Sequence, residues 1–193
     1  MAISRRLAEL DPSNAGWQRG LATAHNRVGG VLQAQRRLAE AQTAFEHALA
    51  IKRRLAELDP SNADWQQDLA TAHSRVGDVL IAQSQWTEGI KAYLESLSLS
   101  RRLAEQDRSN ADWQHGFASA CFRIGLIAVK ANFKDIGLPL YEESLRIFTD
   151  LVQRAPGYVQ WAQDKKFVEE ELTALRAAIA SSPDGTANGG QTP

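Results

Sequence analysis

The residues best suited to metal ligation or nucleophilic chemistry are His25, His47, His73, His115 and Cys121. Three share one register, since 73 − 25 and 121 − 73 both equal 48. A zinc ion needs nitrogen ligands about 2.0 Å away, whereas side chains one packed helix apart are separated by roughly 8–10 Å. His25, His73 and Cys121 therefore cannot share an ion, and packing is the expected role for all three. His47 and His115 have no matching partners at all. For nucleophilic catalysis Cys121 needs a base and an orienting group beside it, and the sequence suggests neither. Standing where the other copies carry His, it is expected to be inert core. No glycine-rich phosphate loop, acidic metal cluster or Ser/His/Asp set is present. The sequence thus points to no enzyme, no catalytic residue, no bound metal and no cofactor.

Residues that could bind rather than react are easier to find. Arg27, Arg75 and Arg123 recur one residue before Val28-Gly29, Val76-Gly77 and Ile124-Gly125. Stacked copies would bring them into a column at the spacing of packed helices, able to receive an acidic ligand. A local role is favoured over that column: each arginine lies over the neighbouring helix and pairs nearby, Arg75 with Asp78 for example. Phe122, Leu126 and Val129 follow at i, i+4 and i+7, where earlier copies have Asn26, Gly30, Gln33 and Ser74, Asp78, Ile81. An apolar strip of that spacing suits the apolar face of a partner helix. Cover by the chain's last helix, or by a second copy, is the competing reading. Trp17, Trp65, Trp113 and Trp161 could stack on bases, but 22 basic against 23 acidic residues leave no electrostatic funnel for a phosphate chain. Packing near Leu55 and Leu58 explains them better. Trp86 stands alone at a turn and is expected to be exposed.

The elements that must carry these residues repeat with the same fixed period, as the spacing of Trp17, Trp65, Trp113 and Trp161 shows. Arg53 to Trp65 reads R-R-L-A-E-L-D-P-S-N-A-D-W, with close copies at Arg5–Trp17 and Arg101–Trp113. A fixed period means one module stacked on the next. From Trp17 the apolar positions 17, 21, 24, 28 and 32 make one helical stripe, which predicts an A helix over about 14–35, with copies at 62–83 and 110–131. Leu38, Ala41, Phe45, Ala48, Leu49, Leu55 and Leu58 predict a B helix ending at Asp59-Pro60, with copies at 86–107 and 134–154. The residue before a proline is pushed out of the α region, so Asp11-Pro12 and Asp59-Pro60 are read as stops. Ser13 is expected to cap the next helix, and Ser61-Asn62-Ala63-Asp64 resembles a capping box. The expected divisions are a partial helix at 3–12, units at 13–60, 61–108 and 109–156, a charged capping helix at 157–180 and a disordered tail at 181–193.

From His25 to Ile51 each unit resembles a tetratricopeptide repeat. Val28-Gly29 and Leu32 stand in the helix A positions, with Ala41, Phe45 and Ala48 in helix B; Val76-Gly77, Leu80, Gly89, Tyr93 and Ser96 follow in the second copy. Ile124-Gly125, Gly137, Tyr141 and Ser144 complete the third. The glycines and Ala41 should let paired helices approach closely while the aromatic residues fill the gap beyond. The unit exceeds the family's usual repeat of about 34 residues. Arg53 also replaces the closing proline, so both helices are expected to be over-long. The resemblance implies an all-α fold, an α-solenoid (right-handed superhelix) of antiparallel helix pairs with a C-terminal capping helix. It also implies a non-enzymatic scaffold that holds a protein or peptide in a concave groove. The groove residues would be Asn26, Arg27, Ser74, Arg75, Asp78, Ile81, Phe122, Arg123, Leu126 and Val129. The clamp by which some members grip carboxylate tails is incomplete here, since Thr23, Asn26 and Gly30 stand where its Lys and Asn partners belong.

Composition narrows the alternatives. A net charge of −1 supplies no general attraction to nucleic acid or anionic lipid. The longest strongly apolar run, Ile124 to Val129, falls far short of the ~20 residues that span a bilayer. No signal-length apolar core is visible at the N-terminus, and one cysteine cannot form an internal disulfide. Cytoplasmic residence is the expectation. The competing functional reading is structural: self-association through an incomplete N-terminal end, or a truncated array from a larger bacterial signalling protein.

Overall fold

The computed structural model describes residues 2–181. They form α1 (Ala2–Leu10), α2 (Ala15–Ala34), α3 (Leu38–Leu58), α4 (Ala63–Ala82), α5 (Trp86–Gln106), α6 (Ala111–Lys130), α7 (Lys134–Arg154) and α8 (Val159–Ala180). Among the described residues there is no strand. The chain is an all-α array of α-solenoid type, and its A and B helices lie within one residue or so of the expected limits. Of the expected tail, all but Ser181 lies outside the described residues. Contacts divide the chain into two compact units, the first ending at Ala120 and the second beginning at Cys121.

In the first unit, the joint between successive pairs works differently from the sequence expectation. The caps are Asn14 and Asn62, whose side chains accept from the Trp17 and Trp65 amides at 3.0 and 3.1 Å; Asn110 does the same for Trp113 at 3.1 Å. Ser13, Ser61 and Ser109 instead turn back. Each donates its amide and hydroxyl to Asp11, Asp59 or Asp107, the hydroxyl distances being 2.5–2.6 Å. The shorter serine side chain is engaged by the aspartate, leaving the asparagine to satisfy the helix amide. Proline is not required for the stop: Asp107, followed by Arg108, has φ −141° and ψ 99°, nearly the −139° and 91° of Asp59 before Pro60. A further staple recurs at each joint: Gln18, Gln66 and Gln114 donate Nε2 to the carbonyls of Ala8, Ala56 and Ala104 at 2.8–3.2 Å.

Within each pair the helices meet at glycine. A methyl group on Gly29 would lie 2.7 Å from Phe45, and one on Gly77 would lie 2.9 Å from Tyr93. Only a residue without Cβ lets the aromatic ring seat there. The core of the first unit gathers Ala41, Phe45, Val76, Val79, Leu80 and Ala92, with Leu32, Leu38 and Leu49 at its margin. The A–B turns place Arg36 and Ser84 at φ 61° and 63°, the left-handed conformation that ordinarily favours glycine. Leu58, assigned to the apolar stripe, points outward at 69% exposure, while Leu55 is buried. Trp86 is exposed at 47%, as its position implied.

The second unit repeats the plan. A methyl group on Gly125 would come within 2.8 Å of Tyr141, and the αL turn residue is Asn132 at φ 67°. α8 packs against α7, placing Leu172 and Leu175 in a core with Tyr141.

Candidate protein-binding face

α2 and α4 carry most of the expected groove residues within the first unit. Arg27 and Arg75 are exposed, and among the described residues neither forms an ion pair within 4 Å. The expected Arg75–Asp78 pair does not form. The Asp78 carboxylate accepts the Tyr93 hydroxyl instead, at 2.7 Å, because the tyrosine ring seated on Gly77 ends beside it. Ser74 shares a hydrogen bond of 2.8 Å with Ser96. Ile81 would lie 2.7 Å from a methyl group on Gly89, so it belongs partly to the α4–α5 seam. The equivalent positions one copy earlier have no such internal partners. Ala48 stands where Ser96 would be, and the Oδ1 of Asn26 is buried with no hydrogen-bond partner. Phe45 has no hydroxyl, and the space beside Gly30 is open for at least 4 Å.

A charged seam crosses the same unit, invisible to a search for repeated residues because it occurs in one copy. Asp68 on α4 accepts from Arg19 Nε of α2 at 2.6 Å and faces Lys52 Nζ of α3 at 3.6 Å. The Lys52 side chain is only 5% exposed. Burial pulls its amine below the ordinary lysine range; Asp68 partly restores it, while Arg19 and Arg75 depress it further. The signal lay in the pattern: Lys52 is replaced by Ser100 in the next copy, and Asp68 by Gly116.

The histidines also differ from expectation. His47 does have a partner, though not in another copy: its ring lies 5.1 Å, centroid to centroid, from His25 across the α2–α3 pair. Burial, the His47 ring and Arg5 together hold His25 below the ordinary imidazole value. His73 is buried and likewise lowered, by burial and Arg53, with Glu95 opposing. Cys121 is buried, as its position implied.

In the second unit, Phe122 stacks on Tyr141 at 5.1 Å and meets Phe167 of α8 edge-on at 5.4 Å. Leu126 and Val129 pack against the cluster that contains Leu172 and Leu175 of α8. Of the two readings of this strip, these contacts favour cover by the chain's own last helix. Leu126 stands where Asp78 stood, so the Tyr141 hydroxyl is buried without a partner. Burial pushes its pKa up to about 12. Arg123 is half-buried and not free.

Among the described residues no group of three or more His, Cys, Asp or Glu side chains could hold a metal ion, and no helix is long and apolar enough to cross a membrane. Residues 20–79 match the family model of the tetratricopeptide repeat. No curated protein matches the chain. Among solved structures, the crystal structure of BtubC (BKLC) from P. vanneervenii is similar at a TM-score of 0.53 and 15% identity. The match covers 100% of this chain and 92% of that one, a likeness of fold alone. The DHF119 filament matches at a TM-score of 0.36 and 13% identity, covering 95% of this chain and 93% of that chain, too weak to bear on either fold or function.

Proposed function

We propose that this chain, whose residues 20–79 are tetratricopeptide repeat, is a cytoplasmic, non-enzymatic scaffold that binds an acidic peptide or helical segment along α2 and α4. Repeats of this family generally mediate protein–protein interaction. The observation that carries the finer reading is the pair of exposed arginines, Arg27 and Arg75, at one repeat position on successive A helices with no ion pair of their own among the described residues. α2, which carries Arg27, contains no acidic residue. Around Arg27, Gly30 leaves room for a chain to approach. Ser74, Asp78 and Ile81 shape the neighbouring wall, and internal hydrogen bonds hold the first two in place. Phe122, Leu126 and Val129 contribute less than their apolar character suggested, because the contacts with α8 and its core occupy them.

Fluorescence anisotropy with two labelled peptides tests the reading, one alternating Glu with Ala and Leu, the other carrying Lys in place of Glu. The acidic peptide should bind, and Arg27→Gln with Arg75→Gln should weaken it at least about tenfold, equivalent to ~1.4 kcal/mol. Equal binding of both peptides, or binding indifferent to the double substitution, overturns it. Self-association is the second reading, favoured by the exposure of Ile3 (77%) and Leu10 (69%) on α1. Light scattering across concentrations separates the two: a dimer abolished by Ile3→Glu with no peptide bound supports the structural role.

A further inference from the structure

A cavity of about 620 Å³ lies between the start of α2 and the end of α3, within the roughly 300–1,000 Å³ of small-ligand sites. Pro12, Ala15, Ala50, Ile51, Leu55 and Leu58 supply its apolar walls, and Ser13, Gln18, Arg54 and Glu57 its polar groups. One copy later the equivalent slot is latched: Arg102 of α5 donates to Oε1 of Gln66 on α4 at 2.9 Å. Arg54 and Gln18 are the same two residues one period earlier, since 102 − 54 and 66 − 18 both equal 48. Here the latch is open. Among the described residues Arg54 forms no hydrogen bond or ion pair, and Gln18 uses only Nε2, on the carbonyl of Ala8 at 3.2 Å.

An occupant therefore meets a cationic donor at Arg54 and an amide acceptor at Gln18 Oε1, both uncommitted. The Glu57 carboxylate beside them is exposed and equally unpaired among the described residues. The Ser13 hydroxyl is already given to Asp11. These groups call for an acceptor and a donor on one apolar body. We propose that the cavity binds a short apolar peptide with free ends, about the size of a dipeptide. Its carboxylate takes the Arg54 guanidinium, its ammonium takes Gln18 and Glu57, and its side chains lie against Ile51, Leu55 and Leu58. A purely anionic amphiphile fits less well, because Glu57 repels it and Gln18 is left without a donor. Leu58, whose exposure the helix pair does not explain, gains a role as a wall; the next copy has Gln106 in its place. Arg27 and Arg75 are not among the lining residues, so this site is separate from the face on α2 and α4.

Isothermal titration of the full chain with leucyl-leucine at about pH 7, where both its ends are charged, decides the matter. The expected result is one dipeptide per chain, with N-acetylation or C-terminal amidation each weakening binding at least about tenfold. Arg54→Gln should weaken the free dipeptide by a similar factor and erase its advantage over the amide. Ala50→Phe, which fills the cavity from an exposed position, should abolish binding, with circular dichroism reporting that each variant remains helical. Arg27→Gln with Arg75→Gln should leave the affinity unchanged, so failure of this site and failure of the α2–α4 face are told apart. Absence of a one-to-one site in the wild type overturns the proposal, as does equal binding of the free, acetylated and amidated forms. So does wild-type affinity in Arg54→Gln or Ala50→Phe, or a loss of affinity in the Arg27 and Arg75 double variant.

Discussion

Substitutions at the two ends of one ion pair should change stability in opposite directions. Lys52 and Asp68 are 3.6 Å apart, a separation worth about 5 kcal/mol at an effective dielectric constant of about 20. The lysine amine is nonetheless shifted below its ordinary value of 10.5, with burial outweighing Asp68. Its desolvation therefore exceeds the attraction, and Lys52→Met, which fills the same space without charge, should be neutral or stabilising by up to about 2 kcal/mol at pH 7. Asp68→Asn removes the carboxylate that faces both Lys52 and Arg19. Loss of one partner from a buried pair costs about 3–5 kcal/mol. Asp68 is a quarter exposed and the Arg19 arm is largely wet, so a lower figure, about 2–3 kcal/mol, is expected here. The pH dependence has a defined sign. Between the lowered folded value and 10.5 the unfolded chain holds more protons at Lys52 than the folded one, so this residue makes stability rise with pH through that alkaline window. Urea unfolding of the wild type and both variants at pH 7 and pH 9.5 measures each effect. Lys52→Met should lack the lysine's share of the alkaline gain. A clear loss of stability in Lys52→Met, or an unchanged Asp68→Asn, would refute the reasoning and show that the balance of burial and attraction lies elsewhere.

The joint and the turn offer two further tests. Asn62→Ala should cost about 1 kcal/mol by removing the cap of α4, with Ser61→Ala costing less, since Ser61 bonds only to Asp59; chemical denaturation measures both, and a larger loss at Ser61 would return the cap to the serine. Arg36→Gly should raise stability by up to about 1 kcal/mol because φ 61° suits glycine better than arginine; a lower melting temperature would show that the arginine side chain contributes more than its backbone costs.

Much of the architecture was legible because it depends on local chemistry repeated at a fixed period. The 3.6-residue stripe from Trp17 to Leu32 reports a helix wherever it occurs, and Gly29, Gly77 and Gly125 announce close helix approach through the absence of a side chain. The details of the joint were less accessible. Ser61 and Asn62 can both cap a helix, and only the folded backbone shows the serine engaged by Asp59 and the asparagine left for Trp65. The stop attributed to proline proved to survive its replacement by Arg108, because the aspartate and its serine partner persist in all three copies.

The candidate face divides along the same line. Sequence alone determined the helix pairs, their register and the positions that differ between copies, since composition and periodicity act over a few residues. Tertiary structure decided which differences face outward. The tyrosine on Gly77 reaches Asp78, and α8 comes to lie over Phe122. Lys52 meets Asp68, and His25 meets His47 across a helix pair. None of these pairings has a spacing that a linear pattern encodes, because each is set by where two helices cross, and the glycines and rings at those crossings set the distance.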